Sequence, residues 1–492
     1  MKILKVISCA ALAALAAAAY ADVKCANIFS DNMVLQAGAP IRVWGTADAG
    51  EKVSVKFMKS SAKTKADKNG FWRVELPAKK YVKEGQEMVV QGKNKIVFKD
   101  VLVGEVWLGS GQSNMQYQIR QLRDMENQMK TESLPSEIRY FWVPATGSET
   151  PLGMHDLPPE SAWKKYAPEN FQTTREMSVL LTLFAQRMHK ELDVPIGVIN
   201  SSYGGANLET WMSKEAFEKA GTTADAERIL KMVCGWHEKD VKKWEALPDA
   251  ERAKRRKPKP NYESRPSHSY NAMMRPLIPY QIRGLLWYQG EMNSGMDLYL
   301  KEFPFYAQAM RGDFENPNMP IFWVQLPDYT NKDWAKTRDV QRRLAEIVPN
   351  SGVAVTIDGH EMELHPRDKS KVVDRLARLA LADVYGKKIV ARSPAPQKVE
   401  ADSGGVKITF KNCANGLKLS SGEEPRCFEV AGADNKFHPA KAKIAAPNAV
   451  VLELPSGVKE ARKVRYAWAA DPDVNLYNSG DLPASPFEEA VE

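Results

Sequence analysis

The stretch Val101-Leu102-Val103-Gly104-Glu105-Val106-Trp107-Leu108 passes without a break into Gly109-Ser110-Gly111-Gln112-Ser113-Asn114-Met115. A short, mostly apolar run that stops at a glycine- and serine-rich turn reads as a strand buried on both faces. Further runs of this kind lie at 196–200, 282–288, 321–326 and 353–357, and helical spacing of apolar residues recurs over 176–191, 335–348 and 371–385. Strands alternating with helices predict an α/β fold, a doubly wound, mostly parallel sheet with helices on both faces. In such sheets a ligand binds outside the carboxyl ends of the strands. The residues just past each run are therefore the ones placed to do chemistry.

Past the first run, glycines before Ser113 allow the sharp turn that exposes a nucleophilic hydroxyl. Met115 stands where a G-x-S-x-G elbow would have its last glycine, and the G-K-[ST] ending of a phosphate loop is missing. Past the second run comes Asn200-Ser201-Ser202-Tyr203-Gly204-Gly205-Ala206-Asn207, whose paired glycines let backbone N–H groups approach an oxyanion. Past the third comes Gln289-Gly290-Glu291-Met292-Asn293, where the Asn293 amide is a second kind of oxyanion donor. Past the fifth comes Asp358-Gly359-His360-Glu361-Met362-Glu363-Leu364-His365-Pro366, a histidine base with carboxylates beside it. Its two histidines are five apart, one residue too far for H-E-x-x-H, which excludes a zinc-protease reading. Each turn alone is an ordinary βα turn. Together they supply a nucleophile, oxyanion donors, and a base with an orienting acid, the parts of a serine hydrolase with no metal or cofactor.

Working outward, residues 22–103 alternate apolar with polar, as in Lys52-Val53-Ser54-Val55-Lys56-Phe57 and Phe71-Trp72-Arg73-Val74-Glu75-Leu76, and read as a small β-sandwich-like domain. Residues 388–492 repeat that character and predict a second one. The α/β part is then 104–387, interrupted by a charge-rich helical excursion over 213–269 that contains Lys254-Arg255-Arg256-Lys257. That run reads as a solvated face next to a proline-stiffened loop. The first 21 residues combine Lys2 and Lys5, an apolar run over 6–19 and Ala19-Tyr20-Ala21, a secretory signal peptide that predicts export to the periplasm or beyond. No later stretch is apolar for long enough to span a bilayer, so no membrane insertion is expected.

The 492 residues are 43% hydrophobic and 26% charged, which excludes collagen-like, coiled-coil and wholly disordered chains. A net charge of +8 is too weak an excess to argue for nucleic acid. Past the leader, the cysteines are Cys25, Cys234, Cys413 and Cys427, with no C-x-x-C pair among them. Cys413 and Cys427 are near enough in sequence to close a short loop. Scattered cysteines in a chain this long are more often buried free thiols.

At these turns the sequence resembles the SGNH hydrolase superfamily and, within it, the sialate O-acetylesterase family of carbohydrate esterases. The resemblance is carried by Gly104-Glu105-Val106-Trp107-Leu108 with Gly111-Gln112-Ser113-Asn114-Met115, by 200–211, by Trp287-Tyr288-Gln289-Gly290-Glu291 with Asn293, and by Leu364-His365-Pro366. Near the end it continues in Arg465-Tyr466-Ala467-Trp468-Ala469, Asn475-Leu476-Tyr477-Asn478 and Leu482-Pro483-Ala484-Ser485-Pro486-Phe487. It implies an SGNH-type sheet, an O-acetylated sugar or glycan as substrate, Ser113 as nucleophile and His365 as base. The oxyanion hole would be the N–H groups of Ser113 and Gly205 (or Gly204) with Asn293, while Gln112, Gln289 and Glu291 would meet the substrate. The superfamily usually has Asp three residues before the histidine, where Met362 stands. Glu363 is then the expected acid, with Asp358, Glu361 or a backbone carbonyl as alternatives. O-acetylated sialic acid is the expected substrate, and Arg175, Arg265 and Arg275 are candidates for its carboxylate. Acetylxylan or another polysaccharide is the alternative, and a non-catalytic glycan-binding protein is an alternative of a different class.

Overall fold

A computed structural model describes residues 22–293, 297–330, 334–359 and 361–492. The signal-peptide reading of residues 1–21, and His360, lie outside the described residues. The fold is mixed α/β, with one large mixed sheet and additional β-sheets toward both ends of the chain. The large sheet is organised on β1 (Lys95–Gly111), β2 (Ile138–Trp142), β3 (Trp163–Lys165), β4 (Ile196–Ser202), β5 (Gly284–Tyr288), β6 (Ile321–Val324) and β7 (Ser351–Ala354). Their spatial order is β3-β2-β4-β1-β5-β6-β7, parallel throughout except for β3 at the edge.

β1 is 17 residues long and changes character along its length. Its first part alternates exposed with buried residues and pairs antiparallel with Val82–Gln91. From Val101 onward every residue is buried, as a strand with neighbours and cover on both faces requires. The expected boundary at 103/104 falls inside this strand, so the N-terminal strands and the parallel sheet share it. Ile41–Thr46, Lys52–Phe57 and Phe71–Leu76 form strands where the alternation places them.

Helices cover both faces. α1 (Ser113–Gln116) follows β1 directly, and α2 (Val179–Leu192) starts at Ser178, whose hydroxyl accepts the Leu181 N–H at 3.2 Å. α3 (Thr223–Glu245) is the longest helix of the charge-rich excursion, and α4 (Asp297–Asp313), α5 (Trp334–Ile347) and α6 (Ser370–Asp383) complete the set used below. The apolar sides of α2 and α6 share one core on one face of the sheet, where Trp107 meets Phe184 edge-on at 5.4 Å. Those of α4 and α5 join the core on the other face. α4 is absent from the spacing analysis, and it carries Pro304 in its interior, a residue that normally argues against a helix.

The C-terminal strands build two four-stranded sheets and a two-stranded one around a third core, which also takes in Val355 and Ile357 just past β7. Arg338 of α5 fastens this region to the turn after β6 by donating to the carbonyls of Leu326, Pro327, Ala469 and Ala470. Cys25, Cys234, Cys413 and Cys427 are all free thiols. No helix among the described residues is long and apolar enough to cross a membrane.

Candidate active site

The chain places β2, β3 and β4 on one side of β1, then crosses to the other side with β5, β6 and β7. The carboxyl ends of β1, β4 and β5 therefore flank a topological switch point, where open α/β sheets hold their ligands. Gly111 ends β1 with φ +129°, and a Cβ there would sit 2.2 Å from the Tyr288 carbonyl oxygen. That close approach lets the Gln112 N–H bond the same carbonyl at 2.9 Å and turns the chain sharply into α1. Ser113, half-buried, is the first residue of α1, so its N–H has no acceptor within the helix.

Asn114 brings the base to the nucleophile. It is fully buried, and its Nδ2 donates to the Leu364 carbonyl at 2.9 Å and to Glu291 Oε1 at 2.7 Å. Its Oδ1 accepts from Lys369 Nζ at 2.8 Å. The residue after Ser113 is thus bonded to the residue before His365, across 250 positions of sequence. His365 is half-buried and stacks on Tyr117 of the same turn, with ring centres 6.2 Å apart. Its Nε2 is shut off from solvent and, among the described residues, has no hydrogen-bond partner. Burial, followed by the Lys369 ammonium, holds the imidazole below its ordinary pKa, while Glu363 pulls weakly the other way. A neutral imidazole with a free nitrogen is what a general base needs.

No hydrogen bond joins His365 to any of the expected acids among the described residues. Glu363 is exposed, with Arg367 at 3.7 Å. Glu361 accepts the N–H groups of Arg367 and Asp368, closing the turn just past His365. Asp358 is buried in a fork with Arg375, 2.7 Å to each oxygen. The expectation that Glu363 orients the base is therefore corrected: an exposed carboxylate acts on His365 only through space.

On the oxyanion side, Gly204 lies against the nucleophile, since a Cβ there would be 3.6 Å from Ser113 Cβ. Its N–H is taken by Gln116 Oε1 at 2.8 Å. Gly205, in the left-handed region at φ +78°, keeps an N–H with no protein acceptor among the described residues. Asn293 is 2% exposed and rigidly oriented. Its Oδ1 accepts from the Leu208 N–H and from Gln289, and its Nδ2 faces both oxygens of Glu209 at 3.0 and 3.1 Å. One N–H can span a single carboxylate, and the amide carries a second. Removing one oxyanion donor typically costs about 10²–10³ in kcat. Asn293→Ala is expected to lower kcat on that scale, and to lower the melting temperature by leaving Glu209 and the Leu208 N–H unpaired. Steady-state assays below the melting range check this, and activity near that of the parent would remove Asn293 from the site.

Gln112, Gln289 and Glu291, the residues expected to meet the substrate, are all engaged in hydrogen bonds within the protein. Gln289 is wholly buried, donating to Gln112 Oε1, Asn293 Oδ1 and the Ala206 carbonyl, and Gln112 also accepts the Met292 N–H. These amides tie the three turns together from behind. The Glu291 carboxylate is pinned by Asn114, and burial raises its pKa. The return of the excursion, 261–269, borders the site, with the Glu263 carbonyl accepting the Asn207 N–H at 3.2 Å. Asn114, Glu209 and Lys369 went unrecognised in the sequence. The first two sit inside the quoted motifs, and nothing local marks the third.

A carbohydrate esterase family model described as sialic acid-specific acetylesterase matches residues 241–382. The chain is 28% identical to the sialate O-acetylesterase of Pongo abelii, over 94% of this chain and 91% of that protein. It is equally identical to that of Mus musculus, over 94% and 93%. Among solved structures it is similar to a carbohydrate acetylesterase from Xanthomonas citri, with 29% identity and a TM-score of 0.79 over 95% of this chain and 99% of that one. Fold, site and likenesses together define an esterase, which sets aside the binding-only alternative. The resemblance to the sialate O-acetylesterase family holds over nearly the whole chain.

Proposed function

We propose that this esterase removes O-acetyl groups from sialic acid by acyl transfer through Ser113. The observation that carries the reading is the Asn114 bridge, which sets the Ser113 turn against the His365 loop at the switch point of the sheet. His365 Nε2 takes the hydroxyl proton as Ser113 Oγ bonds to the acetyl carbon. The N–H groups of Ser113 and Gly205, with Asn293, hold the oxyanion. The carbon–oxygen bond to the sugar then breaks, and the sugar oxygen leaves with the proton from His365. Water attacks the acetyl-serine, giving its proton to His365, and acetate departs as Ser113 regains its hydrogen.

For the sialate carboxylate, Arg265 is the best placed of the three candidate arginines. It lies in the segment bordering the Gly205 turn, its guanidinium over the Tyr262 ring at 5.6 Å. Arg175 is paired with Glu126 at 2.8 Å, and Arg275 lines a separate cleft with Tyr270 and Asp313. Removal of acetyl groups from neutral polysaccharides such as xylan is the second reading. The similar Xanthomonas citri protein is described as a carbohydrate acetylesterase, a class broad enough to include such substrates. The same proposal takes 104–387 as an SGNH-type catalytic domain between β-sandwich-like domains at 22–103 and 388–492, in a protein exported by residues 1–21. Mass spectrometry of acetate and deacetylated products, on O-acetylated sialic acid beside acetylated xylan, tests the substrate. Preferential release from sialic acid is expected, and release from xylan alone would replace it with the second reading.

A further inference from the structure

Lys369 has an unusual position for a lysine. It is 1% exposed, stands at the N-cap of α6 four residues past His365, and points into the junction between nucleophile and base. Its ammonium donates to Asn114 Oδ1 at 2.8 Å and lies 5.1 Å from the centre of the Tyr117 ring and 5.6 Å from that of Tyr288. Among the described residues no carboxylate comes within ion-pair distance of it. The nearest arrangement to an ion pair runs through an amide, with Lys369 on the oxygen of Asn114 and Glu291 on its nitrogen. Charges at both ends fix which way the Asn114 amide faces. That leaves its second N–H on the Leu364 carbonyl, beside the base. A buried cation costs free energy unless it is well compensated. Here two aromatic faces and an amide oxygen replace water, and no direct counter-ion cancels its field.

We propose that Lys369 is a positioning residue of this esterase: through Asn114 it locks the Ser113 turn to the His365 loop, and it sets a buried ammonium with no direct counter-ion beside that junction. The inference rests on reading Ser113 and His365 as nucleophile and base. His365 is faced by Tyr117 from the nucleophile turn, by Glu363 from its own loop and by Lys369 from the start of α6. Lys369 is faced by Glu291, Glu361, Asp368, Tyr117 and Tyr288. Burial lowers the Lys369 pKa to about 8, so the ammonium persists through neutral and acid pH. The imidazole, held below its ordinary value, then stays a base on acidification for longer than free histidine would. Burial first, and then the Lys369 ammonium, hold this base down.

The test is the pH profile of kcat/KM on p-nitrophenyl acetate for the parent, Lys369→Met and Lys369→Arg. Removing the ammonium takes away the second of the two effects, after burial, that hold the imidazole down. Lys369→Met is therefore expected to shift the acid limb upward, and Lys369→Arg to keep it close to the parent. Should Lys369→Met fail to fold, Lys369→Gln, which removes the charge and keeps a shorter hydrogen-bond donor, carries the same expectation. NMR titration of the His365 ring in a Ser113→Ala background reads the same shift without any turnover. An acid limb and a His365 titration both unmoved in a folded, charge-free variant would overturn the proposal. Full activity in Ser113→Ala would instead overturn the catalytic reading, leaving the titration to be judged separately.

Discussion

Ser113→Ala is expected to lower turnover of an acetyl ester by about 10⁴-fold or more while the protein melts close to the parent temperature. The kinetic loss is large because the acyl-transfer route disappears with its nucleophile, leaving only the oxyanion donors to assist water. The structural loss is small because Ser113 is half-buried and, among the described residues, its hydroxyl makes no hydrogen bond. The bonds that shape the turn belong to its neighbours: Gln112 N–H to Tyr288, and Asn114 to Leu364, Glu291 and Lys369. Acetate release measured beside a thermal melt separates the two effects. A variant that melts early and retains its rate per folded molecule would contradict the assignment.

Arg375→Ala is expected to cost about 3–5 kcal/mol in denaturant unfolding, the usual consequence of leaving one member of a buried ion pair alone. Arg375 and Asp358 are nearly inaccessible to solvent and meet in a two-pronged contact, 2.7 Å at each oxygen. Tyr477 from the C-terminal strands touches the same carboxylate at 3.4 Å, and Lys371 bonds the Asp358 carbonyl at 2.7 Å. Burial pushes the Asp358 carboxyl up, but Arg375 and then Lys371 outweigh it and hold the group below the usual carboxylate range. A depressed carboxylate pKa stabilises the fold above the unfolded-state value, and that contribution is lost as pH falls through the folded-state value. In Arg375→Ala the direction reverses, with an unpaired buried carboxyl favouring its protonated form. The variant should lose less stability than the parent on acidification below about pH 4. Asp358 also opens the loop that ends in His365, so the variant should lose activity at temperatures where it is still mostly folded. A lysine in place of the arginine would restore the charge without the fork, so Arg375→Lys should recover only part of the loss. An unfolding cost under about 1 kcal/mol would show that the pair contributes little.

The sheet was legible because strands buried on both faces write themselves as apolar runs, and the turns at their ends follow from the rule of the switch point. Ser113, Gly205, Asn293 and His365 were legible for that reason, and the structure gathers their turns at one end of β1, β4 and β5. What stayed hidden depends on contacts between distant parts of the chain. The family resemblance implies Glu363 as the orienting acid, yet the loop turns the Glu363 carboxylate toward solvent and Arg367. Gln289 and Glu105 lie in recognisable motifs but serve the scaffold. Glu105 accepts from Arg283, Tyr81 and Tyr385 at the far end of β1. The C-terminal motifs are likewise structural. Asn478 donates to the carbonyls of Arg392 and Asn412 and accepts the N–H of Gly480 and Leu482, splicing separate loops. A buried cation such as Lys369 has no local signature, because only the tertiary fold decides that a lysine at a helix start faces inward.

The pairing of Ser113 with His365 is tested most directly by a fluorophosphonate, which modifies a serine only when a neighbouring base activates it. Peptide mass mapping after brief treatment should find one adduct, on Ser113, with activity lost in step and labelling abolished in His365→Ala. Loss of activity with the adduct on a different serine, or undiminished labelling of Ser113 without His365, would contradict the site described here.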